Sequence, residues 1–244
     1  MEDFQFDYYQ YKKRLNNKTK FNFYVVFILI ILFLGLAIYL KPNEKKLNFY
    51  FVEIASFQTY SKASILADEI KQHQGAGYIY YDYNYKVLAT YFTTKSDAEK
   101  VASNLVETYP NAKVFTLQVN KNLKLNSLNK KQVEVVEKLN NNLQETIKIF
   151  SNASVLLDKQ ELSLNKFNQQ ANEILNSFTE HYKDFLNLFK QNSTHNITKG
   201  HLKNIKKNLT HLTNVKDEQY LNNNLKFKLI DIVVNYANFL NCFN

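Results

Sequence analysis

YFVEIASFQTYSKASILA at Tyr50–Ala67 and YKVLATYFTTKSDAEKVA at Tyr85–Ala102 are two copies of one pattern, offset by 35 positions. Tyr50, Val52, Phe57, Thr59, Ser61, Ala63 and Ala67 recur as Tyr85, Val87, Phe92, Thr94, Ser96, Ala98 and Ala102. Further on, Ile70 answers Leu105, Ile79 answers Val114 and Tyr80 answers Phe115. A repeat of this length is one supersecondary unit used twice. Each unit has an apolar face it cannot bury alone, so the two must pack together.

Within each copy the period changes from two to helical. Tyr50–Ile54 alternates, with Val52 and Ile54 on one side and Phe51 and Glu53 on the other, the pattern of a half-buried strand. Ser61–His73 then carries Ala63, Leu66, Ala67 and Ile70 at helical spacing, and Gly75 and Gly77 end that helix. Tyr78–Tyr81 reads as a second strand, and Asp82–Asn84 turns into a third, Tyr85–Ala89. Ser96 and Glu99 form an S-x-x-E capping box for a second helix, which carries Ala98, Val101, Ala102 and Leu105. Ala112–Leu117 closes as a fourth strand. The order β-α-β-β-α-β is a ferredoxin-like, split βαβ unit. Its two helices should cover one sheet face, holding Val52, Ile54, Ile79, Val87, Ala89 and Val114. Parity then puts Phe51, Glu53, Tyr78, Tyr80, Lys86, Leu88, Lys113 and Phe115 on the other face, expected to be open. An open face with four aromatic rings reads as a binding surface; the alternative is that the large C-terminal region covers this face as ordinary core.

Before this unit, Phe21–Leu40 reads FNFYVVFILIILFLGLAIYL, a run without charge. Twenty helical residues reach about 30 Å, the thickness of the bilayer hydrocarbon. With no polar stripe to face solvent, the run is expected to be a single transmembrane helix. It ends in bulky Ile38, Tyr39 and Leu40, unlike the small-residue cleavage site of a signal peptide. Lys12, Lys13, Arg14, Lys18 and Lys20 precede it, against Lys41, Lys45 and Lys46 after it. That bias places residues 1–20 in the cytoplasm and everything after the run outside.

From Asn129 to Asn244 the helical period takes over. Val136, Leu139, Leu143, Ile147 and Phe150 step by 3 or 4. So do Phe167, Ala171, Ile174, Phe178, Phe185 and Leu188; Leu202, Ile205, Leu209 and Leu212; and Leu225, Leu229, Val233, Tyr236 and Leu240. Four such stripes predict an antiparallel bundle, with either a self-contained core or a docking surface for a protein partner. Asn140–Asn142 and Asn222–Asn224 are expected to favour turns. The chain is thus expected to be α+β, with a cytoplasmic segment (1–20), a transmembrane helix (21–40), a βαββαβ domain (48–118) and a helical bundle (129–244).

The doubled strand motif with its Ala-x-x-x-Ala helices resembles the two halves of a SPOR domain, over about residues 48–118. The resemblance implies binding to bacterial peptidoglycan, in particular glycan strands stripped of stem peptides, through the open sheet face. Carried over residue by residue, the motif's Gln falls on Glu53 and its Ser on Ser56, with Lys86 and Leu88 at the second copy's exposed positions. The glycan site implied is Phe51, Glu53, Ser56, Tyr78, Tyr80, Lys86, Leu88, Lys113 and Phe115. The motif's Gly is replaced by Ala55 and Thr90, and Glu53, when ionised, can only accept hydrogen bonds. A membrane-anchored SPOR domain followed by further sequence also resembles the stage II sporulation protein B group, which acts at the sporulation septum.

The rest of the composition narrows the function. The formal net charge of +9 suits nucleic acid, anionic lipid or an acidic polymer. The glycine-aromatic signature of RNA-recognition sheets is missing, so nucleic acid is not the expected partner. No histidine pairs with a cysteine or carboxylate at metal-ligand spacing, and no acid–base pair, P-loop or nucleophile elbow is present. Neither a metal nor a cofactor is implied, and a binding protein is expected in place of an enzyme. The leading expectation is a single-pass bacterial membrane protein binding wall glycan at the division or sporulation septum. The alternative is a membrane-anchored adaptor whose SPOR-like unit is degenerate and whose helices bind a septal protein.

Overall fold

The computed structural model describes residues 46–190 and 195–244. The cytoplasmic segment and the transmembrane run expected at 1–20 and 21–40 lie outside the described residues. Among the described residues, no helix is long and apolar enough to cross a membrane.

The repeat forms β1 (Lys46–Phe57), α1 (Tyr60–Gln72), β2 (Tyr78–Asp82), β3 (Asn84–Phe92), α2 (Lys95–Leu105) and β4 (Lys113–Asn120). The strands make one antiparallel sheet in the order β2-β3-β1-β4, that of a ferredoxin-like unit. The face expected beneath the helices is there. Val52, Ile54, Ile79, Val87, Ala89 and Val114 pack with Ala63, Ala67, Ala98 and Ala102 of α1 and α2 in one apolar cluster. The cap of α2 differs from the expected box. Thr94, not Ser96, is the N-cap, its hydroxyl accepting from the Asp97 amide at 3.2 Å, while Glu99 pairs with Lys95 at 2.8 Å. The sequence T-T-K-S-D offers a Thr-x-x-Asp cap two residues before the Ser-x-x-Glu one, and the earlier start gains half a turn.

The second half forms α3 (Lys130–Asp158), α4 (Leu164–Leu188), α5 (Asn196–Thr213) and α6 (Glu218–Asn241). Each helix packs on the next, and α6 returns onto α3. The asparagine clusters do not make turns. Asn140 lies within α3 and accepts from the Tyr236 hydroxyl at 2.7 Å, and Asn142 donates to Ser177 at 2.8 Å. Asn222 and Asn223 of α6 donate to Asp158 at 2.7 Å and to the Lys71 carbonyl at 2.6 Å. Their amides bridge neighbouring elements, which offsets their low helix propensity.

The sheet face expected to be open is covered. α6 lies across β2, β3 and β4, and Phe49, Phe51, Leu88, Tyr91 and Val119 share one core with Leu229, Val233, Tyr236 and Phe239. The Phe49 and Tyr236 rings meet edge-on at 5.8 Å, and those of Tyr78 and Phe227 lie 5.1 Å apart. The cause lies in the composition of α6. Besides the expected stripe of Leu225, Leu229, Val233, Tyr236 and Leu240, it buries Leu221, Ile230, Ile232, Val234, Ala237 and Phe239. A helix apolar over most of its circumference must be enclosed by more than one layer. Helices α3 and α5 pack against it on one side and the sheet supplies the other wall. Both faces of β1 are therefore buried, so its alternation is blurred and the strand extends four residues before Tyr50.

The shared core predicts cooperative unfolding of sheet and helices. Phe51→Ala should cost about 3–5 kcal/mol, the usual penalty for truncating a buried Phe. Calorimetry of the full-length chain in mild detergent should show one transition from residues 46–244, lowered as a whole by the substitution. Two separable transitions, with only one of them shifted, would contradict a common core.

Candidate functional site

The covered face divides the nine residues of the expected glycan site into two groups. Phe51 and Leu88 are fully buried core. Tyr78 is half-buried, and its hydroxyl donates to Asp231 Oδ1 of α6 at 3.0 Å. Burial, reinforced by the Asp231 charge, pushes its ionisation far above the ordinary tyrosine range, so it stays a neutral donor. The expectation that these three present an open surface is corrected: α6 occupies the space in front of them.

The remaining six gather at the other end of the sheet. Tyr80 and Phe115 come from opposite edge strands, yet their rings lean inward to 5.4 Å. Lys86 Nζ sits 5.3 Å from the centre of the Phe115 ring, within cation–π range. It is held there by the Asp82 carboxylate at 3.1 Å and the Asp82 carbonyl at 3.0 Å. Glu53, only 1% exposed, lies in this face with Lys113 Nζ 3.4 Å from its carboxylate. The resemblance assigns Glu53 the place of a sugar-contacting amide. Here it is a buried carboxylate paired with Lys113. Lys113 and Ser56 are exposed, whereas Tyr80, Lys86 and Phe115 are half-buried.

Ser56 belongs to this group because β1 is irregular. Its pairing with β3 slips at Val52/Glu53 and again at Glu53/Ala55. Glu53 lies opposite Leu88 and Ser56 opposite Lys86, so three steps along β1 match two along β3. Residues directly opposite in a ladder share a face. The extra residue thus turns Ser56 toward the side of Glu53 and Lys86, although strict alternation would turn it away. Bulges of this kind commonly re-aim side chains at functional edges. Beside it, Glu53, Ser56, Pro110 and Lys113 border a cleft of about 500 Å³.

Two further features escape a reading of the sequence. Tyr60, Tyr85 and Tyr81 form a chain of rings with centres 5.8 and 4.9 Å apart, and Tyr60 and Tyr81 are mostly exposed. The run YIYYDYNY at Tyr78–Tyr85 holds the signal, since its odd-numbered tyrosines at 81, 83 and 85 could be read as a separate set. The second feature is a groove of about 650 Å³ between the end of α1 and the first half of α6. Its walls lie some 150 residues apart in the chain, and no local pattern marks it. Lys226 stitches the two sides beside it, donating to the Gln74 carbonyl at 3.1 Å and to Asp158 at 2.7 Å. Among the described residues, no group of three or more metal-ligating side chains is assembled.

No characterised protein and no solved structure matches the chain significantly. One family does match, over the segment that forms the doubled strand–helix unit. Residues 46–116, from the first strand into the fourth, fit the SPOR domain family, and the chain therefore carries a SPOR domain.

Proposed function

We propose that this protein is a membrane-anchored peptidoglycan-binding protein of the bacterial septum, recognising glycan strands freed of stem peptides. The SPOR match over residues 46–116 carries this reading, since that domain implies peptidoglycan binding. The contact surface proposed is the accessible end of the sheet: Ser56, Tyr80, Lys86, Lys113 and Phe115. Half-exposed rings offer apolar faces for the C–H side of a pyranose, and a Tyr hydroxyl adds a polar contact. Lys86 and Lys113 supply positive charge for the lactyl carboxylates of the glycan. The apolar run at 21–40 supports a single membrane span, with the N-terminus cytoplasmic and the SPOR domain outside. Only Lys41–Lys45 then separates lipid from β1. Five residues at ~3.5 Å each span at most about 18 Å, so the tether before β1 is short.

A second reading is favoured by one observation. Phe51 and Leu88, at the centre of the sheet face, are sealed by α6. In that reading the sheet is a scaffold that no longer holds sugar, and the helices dock a septal protein.

Full-length protein in mild detergent should co-sediment with isolated sacculi, and more strongly after the sacculi are treated with an amidase. Tyr80→Ala combined with Lys86→Ala should weaken retention by about tenfold, on the order of 1.4 kcal/mol. Undiminished retention of that variant would remove the sheet end as the site. Loss of sedimentation in the unaltered protein, with septal localisation kept, would favour the adaptor. For the anchor, replacing residues 21–40 by a polar segment should move the protein from the membrane pellet to the soluble fraction. Persistence in the pellet after a high-salt wash would contradict a spanning helix.

A further inference from the structure

The groove between α1 and α6 has the chemistry of a saccharide subsite. Its volume of about 650 Å³ lies in the range of small-molecule sites, about 300–1,000 Å³. Tyr220 stands at its rim with 62% of its surface exposed. A second hollow of about 390 Å³ lies on the other side, toward the end of α5, and Tyr220, Asn224 and Lys228 line both. One exposed ring between two hollows is a platform on which a sugar ring can lie while its neighbours extend to either side. Aromatic rings at wet surfaces combine an apolar face with a polar tip, which suits a ligand apolar on its faces and hydroxylated at its rim.

Amides and charged side chains surround that ring: Lys71 and Lys228 at the groove, and Lys216 and Asp217 at the second hollow. Gln72 and Asn224 are exposed at the groove and can donate and accept. The Asn223 carboxamide is fixed by its bond to the Lys71 carbonyl, which leaves its buried Oδ1 without a donor. A buried acceptor left unpaired costs about 1–3 kcal/mol, which a small side-chain shift toward a ligand N–H or O–H would relieve. Lys228 is half-buried, and among the described residues no carboxylate lies within ion-pair distance of it. Burial holds its pKa below the ordinary lysine value, helped by the Lys207 charge and opposed by Asp231. Its ammonium lies 5.5 Å from the centre of the Phe227 ring, and a partly dehydrated cation with an aromatic neighbour but no ion pair favours an anionic ligand group.

We propose that this groove is a second glycan site, which takes a carboxylate-bearing amino-sugar segment, stacked on Tyr220 with its acid at Lys228. The assignment rests on the wall-glycan reading above and extends it, placing a subsite on the seam between sheet and helices, away from the sheet face. A strand held at both places would be gripped by two separate elements of one rigid unit, and the second contact would act at high effective concentration.

The chain contains no Trp, so Tyr220→Trp creates a single fluorophore at the groove and preserves the aromatic platform. Full-length Tyr220→Trp protein in mild detergent is titrated with a peptide-free tetrasaccharide of alternating N-acetylglucosamine and N-acetylmuramic acid. A saturable change in emission is expected. Chitotetraose, which lacks the carboxylate, should bind about tenfold more weakly, and adding Lys228→Met should cost the tetrasaccharide a similar factor, with an unchanged melting temperature. Adding Tyr80→Ala and Lys86→Ala should leave the titration as it was. Absence of a saturable response, equal binding of the two sugars, or indifference to Lys228→Met would overturn the proposal. Failure of the sheet-end site reads differently: sacculus retention ignores Tyr80→Ala with Lys86→Ala while the fluorescence titration persists.

Discussion

The helix Glu218–Asn241 is buried around nearly its whole circumference, and such a helix is stable only when enclosed. The two helices packed on it, α3 and α5, cannot enclose it and also turn their own polar faces to water. The sheet supplies the missing wall through Phe49, Phe51, Leu88 and Tyr91. Fully burying a side chain of this size contributes about 1.5–3 kcal/mol, so several together outweigh any local preference. Polar groups at the seam are satisfied across it. Tyr78 donates to Asp231, Asn223 to the Lys71 carbonyl and Lys226 to the Gln74 carbonyl. Asp231 is in turn held by Asn208 at 2.5 Å. A seam this apolar, with its donors matched, behaves as the interior of one folding unit.

That enclosure shapes the functional surface. A ferredoxin-like sheet with helices on one side would offer a full face to a polymer. Here part of that face is core, and the accessible part is filled from the edge strands by Tyr80 and Phe115, with Lys86 of the inner strand β3 beside them. What remains is a rim of rings and ammonium groups above a buried carboxylate. The seam also creates concavity where neither half alone has any, since the groove beside Tyr220 takes one wall from α1 and the other from α6. Covering the sheet thus removes one surface and builds another.

Much of the fold was legible because local signals agreed with it. The 35-residue repeat, the switch from period two to helical period and the glycines after α1 specify the βαββαβ order. Parity correctly sorted the six residues beneath α1 and α2. Parity cannot report what lies beyond the other face, since a residue facing a second layer and one facing water alternate identically. The information was present in another place: residues 227–240, FKLIDIVVNYANFL, confine their polar residues to one narrow stripe, Lys228, Asp231, Asn235 and Asn238, and are apolar elsewhere. Tracing one stripe through Leu225, Leu229, Val233, Tyr236 and Leu240 hid that surplus. Ser56 shows a finer limit. Its direction depends on a slip in pairing with β3, a non-local event without a signature in β1 alone. The asparagine clusters mislead for a related reason, since their amides are spent on distant partners that propensity does not see.

The strand Lys46–Phe57 is the third in the order β2-β3-β1-β4, with a hydrogen-bonded neighbour along each side. It is also the first element after the segment proposed to enter the lipid, and the proposed sheet-end contact lies near its far end, at Ser56. Tension between an anchor and a captured polymer would therefore run along this strand for about 35 Å, at the usual rise per residue. Both flanking ladders would have to slide at once, sharing the load over many bonds, where a strand at the margin of the sheet could be peeled away one bond at a time. If the proposed anchor holds, placing the tethered strand inside the sheet would give the protein mechanical endurance.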